Sequence, residues 1–255
     1  MTKNELLPYG ERFYKNQSGG SLRSAEIIVP IILNVLRPRS VVDVGCGTGG
    51  WLSVFSRHGV EICGIDGQHV PLDQLQIPSD RFIARDLEEP LRGLFDNDAF
   101  DLAVSLEVAE HLLPSRAESF VEDLTTLAPI VLFSAAVPHQ GGTRHLNEQW
   151  QTYWAEKFSA LGYATIDFVR DLVWTREDVE PWYQQNLLIY VRRDLLQYYP
   201  ELKAALADPG SRSLNKIHPE LWLRAVAPYD GASRFVKALA RVEKIILRNF
   251  LAGRR

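Results

Sequence analysis

Short apolar runs alternate with segments of helical periodicity along most of the chain. Apolar side chains recur at helical spacing over residues 22–36, and Pro38 prevents that helix from continuing. Residues 51–59 and 147–162 have the same periodicity, and each of these segments ends at a glycine. The other segments are runs of aliphatic and β-branched residues, at positions 40–46, 60–66, 81–87, 100–106, 129–137, 163–171 and 186–193. Continuous apolar strands alternating with helices predict an α/β fold, Rossmann-like and doubly wound, with a mostly parallel seven-stranded sheet and helices on both faces.

The pattern changes near residue 194, where proline and glycine break the sequence into short helical pieces. We therefore predict one domain over residues 1–193, of which residues 1–38 form an N-terminal helical cap, and a helical C-terminal extension over residues 194–255. Residues 234–255 hold seven basic residues and one acid, a net charge of +6, with an apolar face opposite the basic one. This basic amphipathic helix is expected to pack on the domain or on a second subunit, or to contact an anionic membrane surface.

Composition narrows the class of protein. Hydrophobic residues make up 46% of the chain, charged residues 24%, and the net charge is -4, which is typical of a soluble globular protein without a global attraction for nucleic acid. Cys46 and Cys63 are the two cysteines and have no C-x-x-C spacing, which indicates a reducing compartment. The apolar run at 25–36 is short and contains a proline, and the chain does not open on an export signal. We expect a cytoplasmic protein, with the inner membrane face as a peripheral alternative.

A glycine-rich stretch, VVDVGCGTGG at residues 41–50, follows the first predicted helix. Gly45, Gly47 and Gly50 have the spacing G-x-G-x-x-G, which lets the backbone turn sharply from a strand into a helix and approach a nucleoside ligand. Asp66 ends the next predicted strand, where an acid can hold ribose hydroxyls. A dinucleotide and other nucleoside cofactors both fit these two features.

Asp43 favours one of these ligands over the other. It lies two residues before Gly45, at the mouth of the turn, where a dinucleotide would place its doubly charged pyrophosphate. A carboxylate there repels phosphate. S-adenosylmethionine has no phosphate and carries an ammonium and a sulfonium group, which the same carboxylate attracts. The charge of Asp43 therefore indicates the methyl donor.

At this point residues 22–192 resemble the class I S-adenosylmethionine-dependent methyltransferase family. The resemblance rests on four segments in order: VVDVGCGTG, GIDG, RDLEEPL and FDLAVSLEVAEHL. It implies that the methionine part of the donor contacts the first glycine turn and that the ribose contacts the acid after the second strand. The adenine would contact the segment after the third strand, and the residues after the fourth strand would form the floor of the site. The residues carried over in that order are Asp43, Gly45, Gly47 and Gly49, then Asp66 and Gly67, then Asp86 and Leu87, then Leu106 and Glu107.

The second substrate should lie beside the loop that follows the fifth strand, VPHQGGTRHLNEQW, because ligands of open α/β sheets bind at the carboxyl ends of the strands. A hydroxyl acceptor needs a base with a pKa near neutrality, so His145 is the first candidate, followed by His139 and His111. As an alternative, a divalent ion such as Mg²⁺ could be held by some of Glu107, His139, His145 and Glu148. These residues have no fixed metal-ligand spacing, so no metal ligand is assigned.

Aromatic and amide side chains are the candidates for acceptor binding. Trp174, Trp182 and Tyr183 lie in one predicted connection between strands, and Asn147 lies in the loop after the fifth strand. Flat rings mixed with hydrogen-bonding groups suit a sugar, although such rings also clamp sheet edges. The stretches FSAAVPHQGGTRHLNEQW and WYQQNLLIY resemble a bacterial subgroup of methyltransferases found beside glycan-building enzymes, which implies O-methylation of a saccharide.

Three other functions remain open at this point. One is O- or N-methylation of a small metabolite that is not a sugar. A nucleic-acid methyltransferase is disfavoured by the acidic body of the chain, and because SLEV stands where amino-directed enzymes have an Asn/Asp-Pro-Pro-aromatic run. A donor-binding scaffold without catalysis is disfavoured by the intact set of donor motifs.

Overall fold

A seven-stranded sheet forms the centre of the fold. The computed structural model describes residues 11–208 and 213–227. The strands are β1 Ser40–Val44, β2 Glu61–Asp66, β3 Phe82–Ala84, β4 Leu102–Leu106, β5 Ile130–Ser134, β6 Tyr163–Ile166 and β7 Leu188–Arg192. Their order is β3-β2-β1-β4-β5-β7-β6. The strands β1 to β5 pair in parallel with one another, and β7 is antiparallel to both β5 and β6.

This topology confirms the predicted mostly parallel, doubly wound α/β sheet. β1 lies between β2 and β4, so the direction of winding reverses at β1. In open α/β sheets this switch point opens a crevice at the carboxyl ends of the strands, where ligands bind. The turn after β1 and the residues after β2 and β4 therefore belong to one site.

Helices cover both faces of the sheet. They are α1 Glu11–Leu36, α2 Gly50–Arg57, α3 Ala117–Leu127, α4 Gln151–Ala160, α5 Val169–Val173, α6 Pro181–Asn186, α7 Pro200–Ala207 and α8 Pro219–Val226. Val41 of β1 packs into one apolar cluster and Val42 and Val44 pack into a second one. Successive strand residues point to opposite faces, so the two clusters are the cores on either side of the sheet.

Helix α1 is longer than predicted, since it begins at Glu11 rather than at residue 22. It also continues through Pro30. By length and composition alone, its segment Gly19–Leu36 is apolar enough to cross a membrane. Ala25, Ile28 and Ile32 are fully buried in the core beside α2. We therefore interpret α1 as a core helix of this domain.

The predicted strand over residues 163–171 is wrong in its second half, because β6 ends at Ile166 and α5 begins at Val169. Asp167 and Arg170 explain the change. The Arg170 Nε and Nη2 atoms donate to the two carboxylate oxygens of Asp167 at 2.8 and 2.6 Å, and both side chains are fully buried. One helical turn brings residues three apart together, whereas a strand would separate them. The third strand is also shorter than the predicted 81–87.

Part of the C-terminal extension packs on the domain. Arg170 Nη1 donates to the carbonyl of Leu214 at 2.8 Å, and Gln151 Nε2 donates to the carbonyl of Lys216 at 3.2 Å. The backbone N–H of His218 donates to Gln185 Oε1 at 2.8 Å. The predicted basic amphipathic helix at 234–255 lies outside the described residues, and the domain boundary at residue 193 stays a prediction.

We predict that Arg170→Ala lowers the free energy of unfolding by about 3–5 kcal/mol, because it removes the fully buried partner of Asp167 and leaves only Lys216 beside this carboxylate. Urea denaturation followed by circular dichroism measures the change. Arg176→Ala is the control, because it removes a similar pair with Asp178 that is largely exposed, and we expect it to change stability little. Equal losses in both variants would contradict the assignment.

Candidate active site

A cavity of about 950 Å³ opens at the carboxyl ends of β1, β2 and β4. The residues that the sequence assigns to the donor surround it with one exception. Those that line the cavity are Asp43, Gly45, Gly47, Asp66, Gly67, Asp86, Leu87, Leu106 and Glu107. The exception, Gly49, lies outside the lining. The strand ends therefore bring the four motifs together as the doubly wound topology requires.

The turn after β1 depends on glycine at particular positions. Gly45 has a φ of +88°, and a Cβ added there would lie 2.3 Å from a Val108 methyl carbon. Gly49 has a φ of +83° and directly precedes α2, and an added Cβ would lie 3.0 Å from Ile77. Side chains other than hydrogen are strained at such φ values. Gly45 thus lets the backbone face the cavity, whereas Gly49 starts the helix.

Asp43 lies in β1 with 4% of its surface exposed. Burial, and then the nearby charge of Asp66, raise the pKa of the Asp43 carboxyl well above its usual range. A cation beside Asp43 would favour its ionised form again. The residue therefore suits a positively charged ligand, in line with the sequence-based interpretation.

Asp66 joins the ends of β1 and β2. Its Oδ2 accepts a hydrogen bond from the backbone N–H of Gly47 at 2.6 Å, and its Oδ1 accepts one from Gly67 at 2.6 Å. Burial raises the pKa of Asp66, and these two N–H groups act in the opposite direction. The carboxylate is therefore fixed before a ligand arrives, and each oxygen has a lone pair left for a hydroxyl.

A buried arginine holds the segment after β3 in place. The carbonyl of Leu87 accepts from Arg116 Nε at 3.0 Å, and the carbonyl of Glu89 accepts from Arg116 Nη2 at 3.2 Å. Arg116 also pairs with Asp123, which is buried. Asp86 and Leu87, the predicted adenine contacts, are thus positioned by groups from the region of α3.

Glu107 forms the floor of the cavity and is held by amide side chains. Asn186 Nδ2 donates to its Oε1 at 3.1 Å, and Gln140 Nε2 donates to its Oε2 at 2.9 Å. Its backbone N–H donates to the Ser134 carbonyl at 2.9 Å. Burial raises the pKa of Glu107, and the hydrogen bonds from Asn186, Ser134 and Gln140 lower it. The sequence reasoning missed these amide partners, because 79 and 33 residues separate them from Glu107 along the chain.

The three candidate histidines differ in position. His111 lines the cavity, and the ring of His145 lies edge-on to it with 4.8 Å between ring centres. Burial and the neighbouring His145 lower the pKa of His111 to about 4. Glu148 Oε1 lies 2.8 Å from His145 Nδ1. His139 is exposed and lies outside the cavity lining, and its backbone N–H donates to Glu148 Oε2 at 2.8 Å.

Glu110 is a charged residue that the sequence reasoning did not select. Its side chain is fully buried, and burial followed by the charge of Glu107 raises its pKa well above the usual range. It directly precedes His111, so the EVAEH sequence that supplied Glu107 and His111 already contained it. Of the residues considered for a metal, Glu148 contacts His145, whereas the His139 side chain is exposed.

Among the predicted acceptor residues, Tyr183 lines the cavity. Its hydroxyl lies 3.0 Å from Ser21 Oγ, and the indole N–H of Trp51 donates to the same hydroxyl at 3.4 Å. Burial raises the pKa of Tyr183 to about 12, so the phenol is neutral. Ser21 and Trp51 also line the cavity, and sequence reasoning missed both.

The other three predicted acceptor residues lie outside the cavity lining. Trp174 packs against His218, with 5.0 Å between ring centres, and Trp182 packs against the apolar core. Asn147 is buried, and its Oδ1 accepts from Gln149 Nε2 at 3.0 Å. Trp174 lies in the turns over residues 174–180 that follow α5, and Trp182 lies in α6, and neither position brings its ring to the cavity.

Comparison with known proteins gives a family match and a shared fold. Residues 19–172 match a family model described as a methyltransferase domain. The chain is similar to magnesium protoporphyrin IX methyltransferase from Synechocystis PCC 6803, solved with bound S-adenosylmethionine, at 18% identity and a TM-score of 0.51 over 72% of this chain and 88% of that one. It is also similar to an O-methyltransferase family protein from Burkholderia thailandensis, at 15% identity and a TM-score of 0.50 over 71% of this chain and 60% of that one.

We predict that Asp43→Asn raises the Kd for S-adenosylmethionine at least about tenfold, because it removes a buried charge facing the cavity while keeping the size of the side chain. Isothermal titration calorimetry measures the change. Asp80→Asn is the control, since Asp80 is exposed and lies outside the cavity lining. Unchanged affinity in Asp43→Asn would exclude Asp43 from donor binding.

Proposed function

Because the chain belongs to the S-adenosylmethionine-dependent methyltransferase family, we propose that it methylates a hydroxyl oxygen of a sugar, in a glycan or a glycosylated metabolite. The observation that carries this proposal is that the lining of one cavity combines the donor motifs with a second set of side chains. We call the lining by Asp43, Asp66 and the glycine turn the donor part, and the lining by His111, Arg144 and Tyr183 the acceptor part. His145 packs edge-on against His111.

The residues of the donor part fit S-adenosylmethionine by their chemistry. This donor supplies a methyl group bound to a positively charged sulfur. Asp43 offers a buried carboxyl for the positive charge of the donor, and Asp66 keeps fixed oxygens for the ribose hydroxyls. Leu87 is buried beside the cavity and offers an apolar contact for the adenine. No phosphate-binding group is needed for this ligand.

The reaction forms one bond and breaks another. The acceptor oxygen attacks the methyl carbon in line, the O–C bond forms, and the C–S bond breaks to leave a neutral thioether. The hydroxyl proton must leave, and His111, which lines the cavity, and His145, which packs edge-on against it, are the imidazoles proposed to assist. Alignment of the two substrates contributes much of the acceleration.

A sugar acceptor is supported by the side chains at the cavity wall. Gln68, Gln76 and Arg144 line it together with Ser21, and they offer donors and acceptors for several hydroxyl groups. Tyr183 adds an aromatic surface, which suits a pyranose ring. The resemblance to glycan-associated methyltransferases points to the same class of acceptor.

The test is incubation of the purified protein with isotopically labelled donor and a panel of sugars, glycolipid precursors and non-sugar metabolites. Mass spectrometry should show a gain of one labelled methyl group on a sugar. Methylation of the non-sugar metabolites alone would replace the sugar proposal by the small-metabolite alternative.

For the acceptor side, we predict that His145→Ala lowers kcat by about 10²-fold or more while the Kd of the donor stays nearly unchanged. His139→Ala is the matched control, because His139 lies in the same loop with its side chain exposed. Initial rates with saturating donor measure the effect. Wild-type turnover in His145→Ala would remove His145 from the mechanism.

We further propose that residues 234–255 bring the enzyme to the inner membrane face, where glycans are built on lipid carriers. Their net charge of +6 and amphipathic pattern support this role, and dimer contact is the alternative. Removing these residues should abolish binding to liposomes that contain anionic lipid. Unchanged liposome binding and full activity would contradict the proposal.

A further inference from the structure

Glu110, His111 and His145 form a compact group behind the acceptor part of the cavity. One possible ligand atom from each residue lies within 4.8 Å of those from the other two. Glu110 and His111 belong to the short turn Ala109–His111 after β4, and His145 belongs to the loop after β5. His111 also lines the cavity, so the group adjoins the space for the substrates.

The Glu110 carboxyl is the observation that points to a ligand. It is fully buried, and neither of its oxygens makes a hydrogen bond. The backbone amides of Glu110 and Ala136 act to lower the pKa of the carboxyl, but neither oxygen is within hydrogen-bonding geometry of a donor. A buried carboxylate is costly unless it is paired or coordinates a metal. A cation would supply the missing partner.

The two imidazoles are held as metal-binding histidines usually are. Histidine ligands generally use their second ring nitrogen to bond a carboxylate or a backbone carbonyl. His145 Nδ1 lies 2.8 Å from Glu148 Oε1, which leaves Nε2 for a metal. The ring of His111 hydrogen-bonds with the backbone of Thr143 and Arg144. Both rings therefore have outer partners that fix their orientation.

We propose that Glu110, His111 and His145 bind one divalent first-row transition ion. Two imidazoles with one carboxylate suit such an ion, whereas Mg²⁺ and Ca²⁺ prefer oxygen ligands alone. Ligand atoms around a bound ion are about 3 to 4 Å apart, so the three side chains draw slightly closer on binding. Three protein ligands would leave coordination positions for other groups.

Metal binding itself does not depend on the acceptor, but its role in catalysis rests on the proposed methyl transfer to oxygen. When bound, the ion would accept a lone pair of the acceptor hydroxyl and make its proton more acidic. The proton passes to water as the oxygen attacks the methyl carbon. His111 and His145 then act as ligands instead of accepting the proton themselves.

The test uses the full chain, without an affinity tag, after treatment with EDTA and dialysis. Titration with Co²⁺, followed by its visible absorption bands, should show one ion per chain in the absence of both substrates. Glu110→Gln, His111→Ala and His145→Ala should each raise the Kd for Co²⁺ at least about 100-fold. Glu148→Gln should raise it about 10- to 100-fold, because Glu148 orients His145.

His139→Ala is the matched control and should bind Co²⁺ as the wild type does, since its side chain is exposed in the same loop. Circular dichroism checks that each variant folds. Absence of stoichiometric Co²⁺ binding in the wild type, or an equal loss in His139→Ala, would overturn the proposal.

The outcomes separate this proposal from the proposed function. If the EDTA-treated enzyme binds no Co²⁺ but methylates a sugar at full rate, the metal site is wrong and the proposed function stands. If Co²⁺ binds through the three residues but sugars are not methylated, the site stands and the acceptor class is wrong.

Discussion

Burial of carboxyl groups at the ends of parallel strands is the constraint on which this site depends. Asp43, Asp66 and Glu110 are buried and Glu107 is half-buried, all at or directly beside one cavity. Burial is the main reason that the pKa of each carboxyl is raised. An ionised carboxylate is stable in such a place only if hydrogen bonds or a cation compensate for lost water. A positively charged ligand would therefore stabilise the ionised form of these carboxyls. The sulfonium donor supplies that charge in the donor part of the cavity, and the proposed metal ion would supply it beside Glu110.

The protein compensates these carboxyls unequally, and the inequality separates their roles. Asp66 receives two backbone N–H groups and Glu107 receives two side-chain amides, so both are oriented by the protein alone. Glu110 receives none, although it is fully buried. Groups already satisfied can accept further hydrogen bonds from a neutral ligand at little cost in reorganisation. A group left unsatisfied gains most from a charged partner, which distinguishes Glu110 from Asp66 and Glu107.

The residues predicted for the donor meet at one cavity more completely than those predicted for the acceptor. Asp43, Asp66 and Glu107 lie at or near the ends of strands with strong apolar patterns, and the ends of parallel strands meet at one edge of the sheet. Trp174 and Trp182 follow α5, a helix that begins at the buried Asp167–Arg170 pair where the apolar pattern predicts a strand. A short polar segment gives no periodicity from which to predict such a pair. The pattern of apolar and polar residues also does not predict contacts between distant segments, such as the hydrogen bond from Asn186 to Glu107.

The segment from Leu106 to His111 links the two parts of the site through strained backbone. Glu107 has a φ of +56°, an uncommon conformation for a residue with a side chain, which costs about 1–3 kcal/mol and persists only where neighbours enforce it. Here the carbonyl and hydroxyl of Ser134 accept from the Glu107 N–H at 2.9 and 3.1 Å. With this conformation at Glu107, β4 ends at the floor of the cavity, and the next turn places His111 in the cavity wall. Because one short segment serves both parts, the position of Glu107 at the cavity fixes that of the Glu110–His111 pair, as the proposed activation of an acceptor beside the donor requires.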